Sequence, residues 1–493
     1  MNTVSDPFRP LYHVAPATGW INDPNGLVYF KGKWHLFYQY YNPAEIDGMQ
    51  WGHAVSPDLV HWQHLPPAIR PDALGQIWSG SAVVDHHDTS GLFDGNAGLI
   101  CYFTYWDKSD RRQSQGMAYS ADGITFKTWG ANPIIAQLRY LPGQPDDKEF
   151  RDPKVFWHEP SGRWVMAVAG GKLRIFSSID LLHWTLESVS DTIETECPDL
   201  FELPLDGDPS NTRWVLSLGG RTYLVGSFDG KQFIPEDEAI VMSSGPDFYA
   251  TQSWSDAPDG RRVIVSWIFG WGYGCKLDGS GITAVFPTEP RAGGCMTTPY
   301  ELTLISTPAG MRLKMLPVPE IDSLRIELPG PQDVQLRDGV MHHLSAHTHA
   351  LDLTFAIGQC TATRVGVRIP AGKGLWIAAG YDFGSKRLFI DRRNSGVNYA
   401  ENYPGDYLSE ECATPAGVAL RILIDNCSVE LFTADGLHHM SAFIMPDPAS
   451  EGVDLFCDGG QARVARLRVH ALADGRGTGS AGCGAKCNGC PAS

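Results

Sequence analysis

The sequence predicts an all-β protein, a five-bladed β-propeller followed by a C-terminal β-sandwich. Three observations carry this. Helical periodicity is almost absent before residue 310, short runs of β-branched and aromatic residues alternate with Gly, Pro, Asn and Asp, and one turn pattern recurs four times. Runs such as Leu27-Val28-Tyr29-Phe30, Trp164-Val165-Met166-Ala167-Val168 and Val263-Ile264-Val265-Ser266-Trp267 have the length and composition of strands. Lys31-Gly32-Lys33 and Ser161-Gly162-Arg163 lie between such runs as tight hairpin turns.

The repeat reads S-x-D-[LG]-x-x-[WF]. It occurs at Ser56-Pro57-Asp58-Leu59-Val60-His61-Trp62, at Ser120 to Phe126, at Ser178 to Trp184 and at Ser227 to Phe233. Copies spaced some 50 to 65 residues apart, each accompanied by several short strands, are the mark of a propeller. Ser and Asp are expected to close a turn onto backbone amides, and the aromatic to pack between neighbouring blades. Upstream of each copy a polar cluster runs into an apolar strand, over 20–30, 78–84, 151–157 and 196–203. A fifth cluster, Asp247-Phe248-Tyr249-Ala250-Thr251-Gln252-Ser253-Trp254, lacks a clear copy of the repeat and completes five blades.

With 493 residues the chain is longer than one growing core supports, so more than one domain is expected. Residues 1–310 are assigned to the propeller. The Pro-rich stretch 311–335 reads as a linker, 336–472 as the sandwich and 473–493 as a flexible Gly/Cys-rich tail. Alternating runs such as Leu351-Asp352-Leu353-Thr354-Phe355 and Leu420-Arg421-Ile422-Leu423-Ile424 support the sandwich.

The charge of −17, with 56 acidic residues against 39 basic, argues against nucleic acid and anionic membrane as partners. No stretch approaches the roughly 18 apolar residues of a membrane span. MNTVSDPFRP has no basic segment leading into an apolar one, the expectation for a cytoplasmic protein, or for a secreted one whose leader has been removed. The 11 cysteines are too dilute for a disulfide framework and read as free thiols. Cys483, Cys487 and Cys490 lie close enough to ligate a soft metal, but three thiolates without a fourth ligand fit a flexible tail better. His86-His87 and His342-His343 are poor chelates, and no HExxH, GxSxG or phosphate loop occurs, so metal catalysis is not indicated.

If each innermost strand starts near the propeller axis, Asp23 with Asn22, Asp152 with Arg151, and Glu196 converge there. Two carboxylates suffice for hydrolysis of a glycosidic bond, one as nucleophile or base and one as general acid, and a third can hold sugar hydroxyls. Arg151 is expected to keep Asp152 ionised, and Glu196, beside Cys197 and Pro198, to carry the raised pKa. Flat apolar faces for a sugar are available from Trp20, Trp51, Trp78, Trp254 and Trp271, near these clusters.

WINDPNG (20–26), WSGSA (78–82), FRDPKVF (150–156), ECPDLFELP (196–204) and DFYATQSW (247–254) together resemble the invertases, inulinases and levanases of glycoside hydrolase family 32. The resemblance spans roughly residues 10 to 470. It implies Asp23 as nucleophile, Glu196 as general acid/base and Asp152 as transition-state stabiliser, with no metal or organic cofactor. Configuration is then retained through a fructosyl-enzyme intermediate, with nucleophile and acid about 5 Å apart. Asn22, Gln39, Trp78, Ser79, Arg151, Tyr249 and Trp271 are implied around the fructosyl unit, and Trp51 is the remaining candidate for the sugar pocket. The implied partner is sucrose, a fructooligosaccharide or a fructan, with a homo-oligomer through the sandwich as a further option. Three departures bear on substrate length and linkage. No Trp occurs in Ala44-Glu45-Ile46-Asp47-Gly48-Met49-Gln50 ahead of Trp51, Pro299-Tyr300-Glu301-Leu302 replaces Pro-Arg-Glu-Leu, and 217–223 is short. A fructosyltransferase using the same intermediate, an arabinan-cleaving relative and a non-catalytic fructan-binding protein are the alternatives.

Overall fold

The computed structural model describes residues 7–137, 149–269, 275–278, 281–284, 294–397, 403–412 and 417–476. Five antiparallel blades come first. Their innermost strands are Trp20–Phe30, Gln76–Asp85, Arg151–His158, Asp199–Leu205 and Tyr249–Ser253. Blades 1 to 3 are separate four-stranded sheets, while blades 4 and 5 touch through one parallel bridge, Leu205 to Leu304. In blades 1 to 3 the outermost strand is the least buried. In blade 3 the innermost strand is largely buried, and the outermost, Thr185–Thr195, is exposed or half-buried at all but Ile193. The ring closes without a shared strand: Ser255 N donates to Leu27 O and Tyr29 N to Ser255 O, both at 2.9 Å.

The repeat forms the rim turns. Asp58 Oδ1 accepts Val60 N and His61 N, and Asp122, Asp180 and Asp229 accept the matching amides of their own copies. Each aromatic packs backward onto the preceding blade. Trp62 stacks on Trp254 of blade 5, Phe126 meets Phe37 of blade 1, Trp184 meets Tyr102 of blade 2, and Phe233 joins a cluster with Val165 and Ala167 of blade 3.

Stretch 311–335, read as a linker, is structured. Gly310–Pro317 is the outer strand of blade 5, paired from Tyr300↔Pro317 to Thr307↔Gly310. Arg325–Glu327 already pairs with the long sandwich strand Gln461–Leu472. The prolines mark a change of direction at the end of a hairpin, not an irregular connection. The sandwich packs a seven-stranded sheet against a six-stranded one over a core of Leu, Ile and Val. It is bound to the propeller by the N-terminal segment. His13 is wholly buried between Asp425 (2.8 Å) and Glu430 (3.2 Å). Burial pulls the imidazole pKa down, but the two carboxylates outweigh it and hold it up at about 10. Among the described residues no helix is long and apolar enough to cross a membrane. The tail cysteines Cys483, Cys487 and Cys490 lie outside the described residues.

Candidate active site

At the axial mouth the inner strands depart from regular β geometry. Pairing in blade 1 shifts between Ile21 and Pro24, in blade 2 between Trp78 and Gly80, and in blade 5 between Tyr249 and Gln252. Such bulges re-aim side chains out of the pleat. Gly80 shows why a glycine stands at one of them: a Cβ there would lie 2.0 Å from Tyr102 O. Three residues at the mouth that are not glycine adopt left-handed backbone, Asp152 (φ 64°), Cys197 (φ 43°) and Ala250 (φ 54°). Each such conformation costs on the order of 1 kcal/mol or more, and such residues concentrate at functional sites.

Two of the three carboxylates gather around one thiol. Cys197 Sγ lies 3.4 Å from Asp23 Oδ2 and 3.5 Å from Asp152 Oδ2, and Cys197 N donates to Asp152 Oδ2 at 2.9 Å. Asp23 Oδ2 also accepts Ser79 Oγ at 2.6 Å, and Asn22 Oδ1 accepts Asp23 N at 2.7 Å. Thr104 Oγ1 accepts Asp152 N at 3.0 Å. Glu196 is 44% exposed in its side chain and accepts hydrogen bonds from Arg151 Nη2 and the Tyr249 hydroxyl. Gln39 is buried, and its Nε2 has no partner among the described residues.

The electrostatics reverse two expectations, a lowered pKa at Asp152 and a raised one at Glu196. Asp23 is pushed up to about 7, mainly by burial and then by the charge of Asp152, against the opposing Ser79 and Cys197 donors. Asp152 is also raised, because burial outweighs Arg151. Glu196 is instead lowered: burial acts upward, and the Tyr249 hydroxyl and Arg151 outweigh it. The reason is where the guanidinium points. Arg151 directs Nη2 to Glu196 and Nη1 to Glu149, leaving only Nε, 3.7 Å away, facing Asp152.

The tryptophans divide sharply. Trp51 is fully buried, its indole N–H bonded to Trp78 O at 3.0 Å, so it backs the site and cannot form a sugar-facing wall. Trp20 and Trp254 are buried as well. Trp78 is half-buried and lies parallel to Trp106, with ring centroids 5.1 Å apart. Trp271 lies outside the described residues. Sequence reasoning missed Cys197 as the meeting point of two carboxylates, although it stands beside Glu196. It also missed Trp106, Thr104 and Glu149, which carry no local signal.

A cluster of acids at the axial mouth of a propeller, with an arginine and a tyrosine on one of them, defines the carbohydrate-cleaving enzymes that work with paired carboxylates. The chain belongs to glycosyl hydrolase family 32: residues 13–314 match the model described as Glycosyl hydrolases family 32 N-terminal domain, and 320–471 the family 32 C terminal. It is 36% identical to a levanase of Bacillus subtilis, over 94% of this chain and 70% of the relative. An extracellular exo-inulinase of Aspergillus niger is 32% identical over 94% of this chain and 95% of its own. The crystal structure of exo-inulinase from Aspergillus awamori superposes with a TM-score of 0.83 at 31% identity, over 96% of this chain and 99% of that one.

Proposed function

We propose that the protein is a retaining β-fructofuranosidase that removes terminal fructosyl units from sucrose, fructooligosaccharides or fructans. The observation that carries this is the convergence of Asp23, Asp152 and Glu196, from the mouths of blades 1, 3 and 4, around Cys197, Arg151 and Tyr249. Relatives named levanase and exo-inulinase support the substrate class and favour water over a sugar as acceptor.

Asp23 attacks the anomeric carbon while Glu196 gives its proton to the departing glycosidic oxygen, leaving a fructosyl ester on Asp23. Glu196 then takes a proton from water, which attacks the same carbon and frees Asp23. Asp152 accepts fructosyl hydroxyls and stabilises the oxocarbenium-like charge, and Gln39 Nε2 offers a buried donor. The productive arrangement has Asp23 ionised and the proton on Glu196. In the free site Asp23 binds its proton more tightly than Glu196 does. The carboxylates therefore titrate as a set, and activity is confined to the pH range in which they share one mobile proton.

Product chromatography after parallel incubation with sucrose, inulin and levan tests the reading. Release of free fructose from at least one of them is expected. Inertness toward all three would refute the proposal, and mainly oligosaccharide products from sucrose would convert it to a transferase.

A further inference from the structure

Residues 244–247 leave blade 4 and run beside the sandwich strand His439–Phe443. Ser244 N donates to His439 O at 3.2 Å, Asp247 N to Ser441 O at 3.3 Å, and Ser441 Oγ returns a bond to Asp247 O. The approach is too close for any side chain at Gly245, where a Cβ would lie 2.2 Å from Ser441 O. Asp247 is fully buried, and its Oδ2 accepts Phe443 N at 2.8 Å and Arg392 Nη1 at 3.0 Å. Arg392 belongs to the sandwich and is itself fully buried. It donates to Phe443 O and the Tyr407 hydroxyl, and its guanidinium lies 4.2 Å from the Tyr403 ring centroid.

Two residues beyond Asp247, the Tyr249 hydroxyl meets Glu196. The intervening Phe248 is fully buried and lies parallel to Tyr300. On the other side Ala250, in left-handed backbone, donates to Gly219 O at 2.8 Å, and Gln252 Nε2 reaches the carbonyls of Cys197 and Pro198 at 3.3 Å. The segment 247–252 is thus anchored at one end in the sandwich and at the other on the backbone that follows Glu196.

We infer that Arg392 is a positioning residue for the reaction: through Asp247 it sets the placement of Tyr249 against Glu196, so the sandwich takes part in the acid/base step. This rests on Glu196 being the acid/base. A buried ion pair is weak evidence for stability alone, because desolvation offsets the attraction. Misplacing a reacting group by about 1 Å, by contrast, can cost about 100-fold in rate.

The experiment compares Arg392→Lys, Tyr249→Phe and the double variant in the full chain, reading kcat, KM and the pH–rate profile on sucrose or whichever fructoside the wild type turns over. Glu196 is faced by Arg151 and Tyr249, with Asp23 and Asp152 beyond, and Tyr249 holds its pKa down. Each single variant is expected to lower kcat about tenfold with KM changed less than twofold. Each should also move the limb governed by Glu196 to higher pH. The double variant should be no worse than the worse single one, because both changes break one connection. Unchanged kcat and pH profile in Arg392→Lys, or losses that multiply in the double variant, would overturn the inference. Should Arg392→Lys fail to fold, Asp247→Asn, which keeps the shape and removes the charge, carries the same expectations. Glu196→Gln is assayed alongside. If it kept full activity, the assignment of Glu196 would fall independently of the Arg392 result.

Discussion

The two ends of blades 1 and 3 use the same residue type to opposite ends. At the rim, Asp58, Asp122 and Asp180 each accept two backbone amides and a serine hydroxyl within their own turn. Their pKa values are lowered, that of Asp180 to about 2, although partial burial acts the other way. At the axial mouth, Asp23 and Asp152 are deeper, share a thiol and sit among other acids, and both are raised. A carboxylate whose lone pairs are filled by local amides fixes a turn. One that burial and like charge leave short of donors keeps its basicity for a substrate.

Substitutions at the two ends should separate these roles. The largest effect belongs to Asp23→Ala, expected to lower kcat by about 10⁴-fold or more with the fold retained, measured by fructose release and circular dichroism. Asp152→Asn keeps shape and removes charge, and a loss of about 10²- to 10³-fold in kcat is expected, the scale of one missing electrostatic stabiliser. Asp23→Asn should lose activity yet gain stability. The folded-state pKa of Asp23 is about 7, above the unfolded value of about 3.9, so the wild type loses stability as pH rises across that window and the variant does not. Unfolding free energies from denaturant titration should coincide near pH 4 and diverge to roughly 2 kcal/mol in favour of the variant by pH 8, allowing for partial solvent access at ~1.4 kcal/mol per pKa unit. The smallest effect is at the rim: Asp180→Ala should cost about 1 kcal/mol of stability and leave kcat and KM unchanged. A rim variant that lost activity with normal stability would collapse the distinction.

The same contrast explains what was legible in the sequence. The rim turn is written in consecutive residues, because Asp180 is met by Ser178, Leu182 and His183 of its own turn, so its repeat disclosed blades and their packing aromatics. The three mouth acids stood out through their motifs. Their order of acidity did not, since it depends on Arg151 turning toward Glu196 and Glu149, a choice made by three-dimensional neighbours. Trp51 and Trp78 look alike in composition, yet one lies inside a blade and the other at the mouth. The Asp247–Arg392 pair joins residues 145 apart in different domains, beyond any local pattern. Pro317 and Pro319 resembled the start of a linker because proline interrupts strands whether or not a hairpin has just ended.

The division of labour among the mouth acids is tested most directly by trapping the intermediate. Glu196→Gln, supplied with a fructosyl donor whose leaving group needs no protonation, should accumulate a covalent adduct of one fructosyl unit. Peptide mass mapping should place it on Asp23. An adduct on Asp152, or turnover with inverted configuration and no adduct, would contradict the account.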